Sequence, residues 1–191
     1  MEILYKFCYG FTTLSGIALG LFVLCKNPRS RVNVTWALTS FAVAAWAVGM
    51  IAYMFEPSHE KALLKARATN YAAMFIPVLF THFCLALLNK PLKQSRLGMA
   101  GYMYLVGMGA FFLTPWFIPS VSPKLVFPHI ANPGPLYVAF TVQFLTLVFY
   151  SHWLLLRNLP RQPRARQNQI KYVASATSIG FICGSTTFLA V

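Results

Sequence analysis

The stretch RATNYAAMFIPVLFTHFCLALL, residues 67–88, decides the fold. It opens on a cation and then runs apolar for about 20 residues, the length of one bilayer crossing. Pro77 stands mid-run, lacks a backbone donor and predicts a kink in a helix there. His82 lies about two-thirds of the way along. The rest of the chain reads as further apolar helices packed around a span of this kind.

Composition agrees. The 191 residues are 58% hydrophobic and 16% aromatic, and only 10% are charged, against roughly 25% in a soluble domain. That describes one membrane-embedded domain over residues 1–191, with the lipid bilayer as its main partner and no sizeable soluble part. Sixteen Lys and Arg against three acids give a net charge of +13. In a soluble chain this balance would point to nucleic acid. Here the cations fall in short loops between apolar runs, so the positive-inside rule explains them and no nucleic-acid partner is expected. The four cysteines (Cys8, Cys25, Cys84, Cys183) are scattered, mostly within apolar runs, and read as small buried residues. The N-terminus lacks a basic leader and a small-residue cleavage site, so it reads as a retained span.

The predicted fold is an all-α, multi-pass bundle with six spans, near 3–24, 34–54, 67–88, 97–117, 136–156 and 170–191. Span one carries Gly16 and Gly20 in GIALG, a spacing that lets a neighbouring helix approach closely. Trp36 and Tyr53 stand at the ends of span two as expected interface anchors. Between spans two and three, Ser58 is placed to cap a short amphipathic surface helix. Span four is rich in glycine and ends at Pro115-Trp116. The segment IPSVSPKLVFPHIANPGP, too apolar for a solvated linker, is expected to fold over the mouth of the bundle.

Eleven of the sixteen cations lie in loops one–two, three–four and five–six: Lys26, Arg29, Arg31, Lys90, Lys93, Arg96, Arg157, Arg161, Arg164, Arg166 and Lys171. Those loops hold none of the three acids, Glu2, Glu56 and Glu60. The bias puts them in the cytoplasm and the N-terminus outside. The chain stops in an apolar helix, so a longer native protein is expected, its next span returning the chain to the cytoplasm.

Catalytic chemistry is poorly supported. There is no Asp, and the glutamates sit at or beyond the outer surface. No catalytic residue, metal site or cofactor is expected from paired carboxylates, a triad or a phosphate loop. Polar groups inside spans are the functional candidates. Asn70 and Gln143, with Tyr71 and the proline-rich loop, are candidates to line an outward-facing pocket. His82 and His152 lie at similar depths. Were they to face each other, they could ligate a haem iron; hydrogen bonding within the bundle is the simpler expectation. A small transporter or channel subunit is a further alternative, though no internal repeat supports it.

Three stretches carry a family resemblance: LGLFVLCKNPRSRVNVTWALTSFAVAAWAVG, the opening stretch, and RARQNQIKYVASATSIGFICGSTTFL. With Trp46-Ala47-Val48-Gly49, Pro77-Val78-Leu79-Phe80-Thr81-His82-Phe83 and Arg166-Gln167-Asn168-Gln169-Ile170-Lys171, the chain resembles the N-terminal seven-transmembrane sensor region of bacterial histidine kinases. The resemblance implies a seventh helix and a cytoplasmic output module, a kinase or diguanylate cyclase, beyond the sixth. It also implies a homodimer in the inner membrane, a response regulator as partner, and signal input as the function. Pro77 and the glycines of span four are the elements expected to move.

Overall fold

The computed structural model describes residues 2–185 and is built of helices with one small hairpin. In chain order these are α1 (Glu2–Lys26), α2 (Arg31–Met54), α3 (His59–Leu87), α4 (Arg96–Met108), strands β1 (Val121–Lys124) and β2 (Phe127–Ala131), α5 (Pro135–Asn158) and α6 (Arg164–Ser185). Single 3₁₀ turns at Leu92–Gln94 and Leu159–Arg161 lead into α4 and α6.

Among the described residues, four helices are long and apolar enough to cross a membrane: α1, α2, α3, and α5 with its following turn. The expected fourth span is shorter than its sequence promised. α4 ends at Met108 with Gly109 as its cap, after 13 residues, or about 20 Å against the ~30 Å of a hydrocarbon core. Gly107 and Gly109 propagate a helix weakly, and Pro115 cannot continue one. Residues 109–117 wind instead through tight turns, such as Ala110 N–H to the Gly107 carbonyl and Thr114 N–H to the Phe111 carbonyl. α6 begins with the polar run Arg164–Gln169 and turns apolar only from Ile170; the last six residues of the expected sixth span lie outside the described residues.

The expected surface helix is not separate. Ser58 caps it as foreseen, its hydroxyl accepting from the Lys61 N–H, but the helix runs without a break into span three. Its small residues explain why. Ala62 and Ala66 are fully buried against neighbouring elements, so this segment packs into the bundle rather than onto a surface.

α3 is the central element. In its apolar window 72% of residues are buried, against 6% for α1 and 39% for α2 and α5. Small residues make this possible. α2 presents Ala37, Ala44 and Ala47, all buried, and Gly49, where an added Cβ would lie 2.3 Å from the Thr69 hydroxyl oxygen. The glycines of GIALG act as their spacing predicted: Gly16 and Gly20 are the two buried residues of α1. A Cβ on Gly16 would meet the Ser40 carbonyl at 3.0 Å and Ala44 at 3.2 Å. Large side chains on the other faces, Phe7, Phe11 and Phe22 among them, point outward as lipid-facing groups do.

α3 ends in a Schellman arrangement. Asn89 takes a left-handed φ of 55°, Lys90 N–H reaches the Leu85 carbonyl, and Asn89 N–H the Ala86 carbonyl. Lys90 then donates to the Asn158 side chain at 3.0 Å, and Ser95 and Tyr150 share a hydrogen bond of 3.0 Å. These contacts tie two of the three basic loops together at one end of the bundle.

The proline-rich segment closes the other end, and there the sequence missed a strand pair. β1 and β2 pair antiparallel around Leu125-Val126. Asn132 clamps the base, donating to the Ser120 hydroxyl at 2.9 Å and accepting from Ser122 at 3.1 Å. Ile118, Val121, Phe127, Ile130 and Ala131 are buried beneath it. Only Cys84 is a buried cysteine; Cys8, Cys25 and Cys183 are exposed, against the expectation of burial.

Gly16→Leu should force α1 off α2 and lower the thermal midpoint of the detergent-solubilised protein, a loss of about 1–3 kcal/mol. Gly10→Leu is the control, since a Cβ there meets nothing within 4 Å. Equal midpoints for the two variants would refute close packing at Gly16.

Candidate functional site

A cavity of about 600 Å³ opens beneath the hairpin. α1 and α6 flank it, α2, α3 and α5 form its back, and Phe127, Ile130 and Leu125 reach it from the hairpin. Its hairpin end is polar and aromatic. Asn70 lines it, donates to the Ala66 carbonyl at 2.9 Å and accepts from the Tyr137 hydroxyl at 3.2 Å. Tyr5, Tyr9, Trp46 and Tyr53 complete that end. Tyr5 packs edge-on to Phe127 at 4.6 Å between ring centres, joining α1 to the roof.

The candidate residues divide. Asn70 and the proline-rich loop line the cavity; Tyr71 and Gln143 do not. One residue round the helix from Asn70, Tyr71 turns to the α4 side. It donates to the Leu105 carbonyl at 3.0 Å and stacks on Phe112 at 4.5 Å. The Gln143 amide atoms are covered and have no hydrogen-bond partner among the described residues. Pro77 is buried in α3, and the Thr81 hydroxyl donates back to its carbonyl at 2.7 Å. The same hydroxyl meets Ser151 on α5 at 2.8 Å.

The two histidines do not face each other. His82 Nδ1 bonds the Tyr102 hydroxyl on α4 at 3.0 Å. His152 Nδ1 donates to the Val148 carbonyl at 2.8 Å, and its Nε2 bonds Thr177 on α6 at 3.1 Å. The His152 ring lies 5.4 Å from that of Phe80. Two residues along α3, His82 is turned about 200° away from Phe80 and so from His152. They form no bis-histidine pair for a haem, and the described residues contain no cluster of three metal-ligating side chains.

Sequence reasoning missed several residues here. Tyr53, expected at an interface, is 2% exposed and lines the cavity. Trp36, expected as an anchor, packs on Phe83 at 4.8 Å between ring centres and lines the cavity. Arg67 was read as the edge of a span. Its guanidinium donates to the Ile118 carbonyl at 2.9 Å and the Leu113 carbonyl at 2.7 Å, groups the unwound end of α4 leaves without helical partners. The detectable signal was an arginine opening an apolar run opposite a segment that Gly and Pro keep from being helical.

A comparison with protein families decides the identity of the fold. The model of the N-terminal 7TM region of histidine kinase matches residues 8–190. The chain belongs to this family. No curated protein and no solved structure matches it. The histidine kinase 7TM region is a sensor region embedded in a membrane, and the long apolar helices fit that placement.

Two outcomes test the site's supports. Arg67→Leu should leave two carbonyls unpaired and destabilise the protein by about 2–3 kcal/mol, with Arg67→Lys recovering only part, since an ammonium lacks the guanidinium fork. Thermal midpoints in detergent read this, and a neutral Arg67→Leu would remove the arginine from the argument. The α2–α3 turn carries an ion pair between Glu56 and Lys65. The Lys65 ammonium holds the Glu56 carboxyl below its usual range. The stabilisation is therefore complete above about pH 4.5 and is lost as pH falls through the lowered value. Glu56→Gln should flatten the fall in thermal midpoint between roughly pH 5 and pH 3; an unchanged slope would mean the pair contributes nothing.

Proposed function

We propose that this bundle is the signal-input module of a two-component histidine kinase. It takes a signal from the extracytoplasmic side or from within the membrane and passes a helix movement to a cytoplasmic output domain. The observation that carries this is the family match over residues 8–190, taken with the placement of a hollow end opposite a clamped, basic end. Under the positive-inside rule the basic loops are cytoplasmic, the N-terminus and hairpin outside, and the protein is a multi-pass component of the bacterial inner membrane. A homodimer and a response regulator complete the proposed pathway.

Input of this kind needs two packings of the bundle that bind the signal differently. Pro77 supports such a pair. Its ring removes a hydrogen bond from α3 alongside the cavity, between the lining residues Ile76 and Phe80, which weakens the helix as a rigid rod there. The short, glycine-rich α4 beside it offers little resistance to a shift.

Pro77→Ala restores the missing donor and should stiffen α3. Joined to an autophosphorylating output module in lipid nanodiscs, the variant should change phosphotransfer to the response regulator by about tenfold. That requires only about 1.4 kcal/mol between the two packings. Equal phosphotransfer at equal abundance would sink the proposal.

A further inference from the structure

We propose that the cavity beneath the hairpin binds an uncharged, largely apolar small molecule whose polar end is a carbonyl-type hydrogen-bond acceptor. The inference rests on the sensor reading for its physiological meaning, since it names the kind of molecule sensed.

Size comes first. About 600 Å³ falls in the range of small-molecule sites, which run from roughly 300 to 1,000 Å³. Charge comes second. No Lys, Arg, His or Glu is among the described residues lining the cavity. A charged ligand would leave water for a low-dielectric space with no counter-charge, which is prohibitive. The chain keeps its ionic groups elsewhere: Glu56 with Lys65, Glu2 with Lys6, and the cations of the basic loops.

Hydrogen-bonding capacity then selects the head group. Several hydroxyls on the walls are already committed to their own helices. Thr12 donates to the Cys8 carbonyl, Ser15 to Thr12, Thr39 to Thr35 and Thr177 to Val173. Ser40, the Tyr5, Tyr9 and Tyr53 hydroxyls and the indoles of Trp36 and Trp46 keep donors free among the described residues, and the most buried amide donor is at the hairpin end. Asn70 spends one N–H on Ala66, and its second has no acceptor among the described residues. A 7% exposed amide in a membrane bundle with a spare N–H suits a ligand carbonyl. The aromatic wall of Tyr5, Tyr9, Trp46 and Phe127 suits the apolar body that follows.

Access fits the same class of molecule. Leu125, at the hairpin tip, is 84% exposed, lines the cavity and holds a left-handed φ of 55°. So the cavity reaches the surface at a strained turn whose two central residues, Leu125 and Val126, are apolar.

The test uses the 191-residue chain in lipid nanodiscs with tritiated methyl decanoate as probe. Saturable binding of one molecule per chain is expected, with decanoate and decylammonium failing to compete. Decane, which lacks the acceptor, should compete about tenfold more weakly than unlabelled methyl decanoate. Gly180→Phe places a ring in the cavity from a position where a Cβ meets nothing within 4 Å. It should weaken binding at least tenfold, whereas Gly107→Phe, equally open but outside the cavity, should not. Asn70→Leu should reduce the preference for the ester over decane; should that variant fail to insert, the ester-to-decane ratio in the unaltered protein still decides the head group. Absence of saturable binding, equal competition by the charged probes, or unaltered binding in Gly180→Phe would each overturn the proposal. None of these readouts involves phosphotransfer, so a failure here counts against the ligand site, and a silent Pro77→Ala counts against the sensor reading.

Discussion

α3 has to be covered by other helices along most of its length while most of the polar groups it carries find a partner without water. In hydrocarbon an unpaired backbone or side-chain group costs several kcal/mol, so the central helix of a membrane bundle can be neither bulky nor carelessly polar. The sequence meets this with alanines and glycines on the faces of α1 and α2 turned inward, and with polar residues on α3 that bond locally. Asn70 bonds back to Ala66 and Thr81 to Pro77, and each then reaches α5, through Tyr137 and Ser151. Two hydrogen-bonded rungs thus hold α3 to α5 at different depths, one on either side of Pro77.

The two ends of the bundle solve different problems. At the basic end, loops are short, and a Schellman cap, Lys90 on Asn158 and Ser95 on Tyr150 fix the helix termini. At the hairpin end α4 stops early, and its released carbonyls are taken by Arg67. The chain saved by the short α4 is used in the hairpin, whose buried face roofs the cavity. On the function proposed above, a bundle clamped between α3 and α5 at its basic end and open beneath its hairpin suits transmission of a displacement along its central helix.

What could be read from the sequence followed physical periodicity. Long apolar runs, the GIALG contact, the Ser58 cap and the clustering of cations at loops were legible because each depends on local residues. The hairpin was not. Pro123 and Pro128 argue against strands, and Leu125-Val126 lacks the Gly or Asn that marks a two-residue turn. Only burial of Phe127 and Ile130 against the helices forces the pairing. Tyr53 was misjudged because residue type suggests a belt position, whereas depth is set by neighbours. The histidine pair failed on angle: similar depth along two helices says nothing of the 3.6-residue phase that turns His82 to α4 and leaves Phe80 toward His152. Of the pocket residues, Asn70 was legible as an intramembrane amide, while Tyr71 beside it was bound to point elsewhere.

The distribution of polarity also limits how a signal could be read. Charges are held to the ends, so the middle of the bundle recognises by shape and by a few neutral hydrogen bonds. α1 and α6 form the two flanks of the cavity, and they are the least enclosed helices: α1 is buried only at Gly16 and Gly20, α6 only at Ile170 and Ala174. α3, by contrast, is locked between its neighbours. A molecule filling the cavity therefore pushes first on the flanks, which yield. It meets α3 at Asn70, Ala73, Ile76 and Phe80, on both sides of the position where Pro77 has removed a backbone bond, with the Asn70–Tyr137 rung on the hairpin side. On the function proposed above, a shift of that rung relative to the Thr81–Ser151 rung is the smallest movement that would carry information toward the basic end. It needs no charge to move through the membrane.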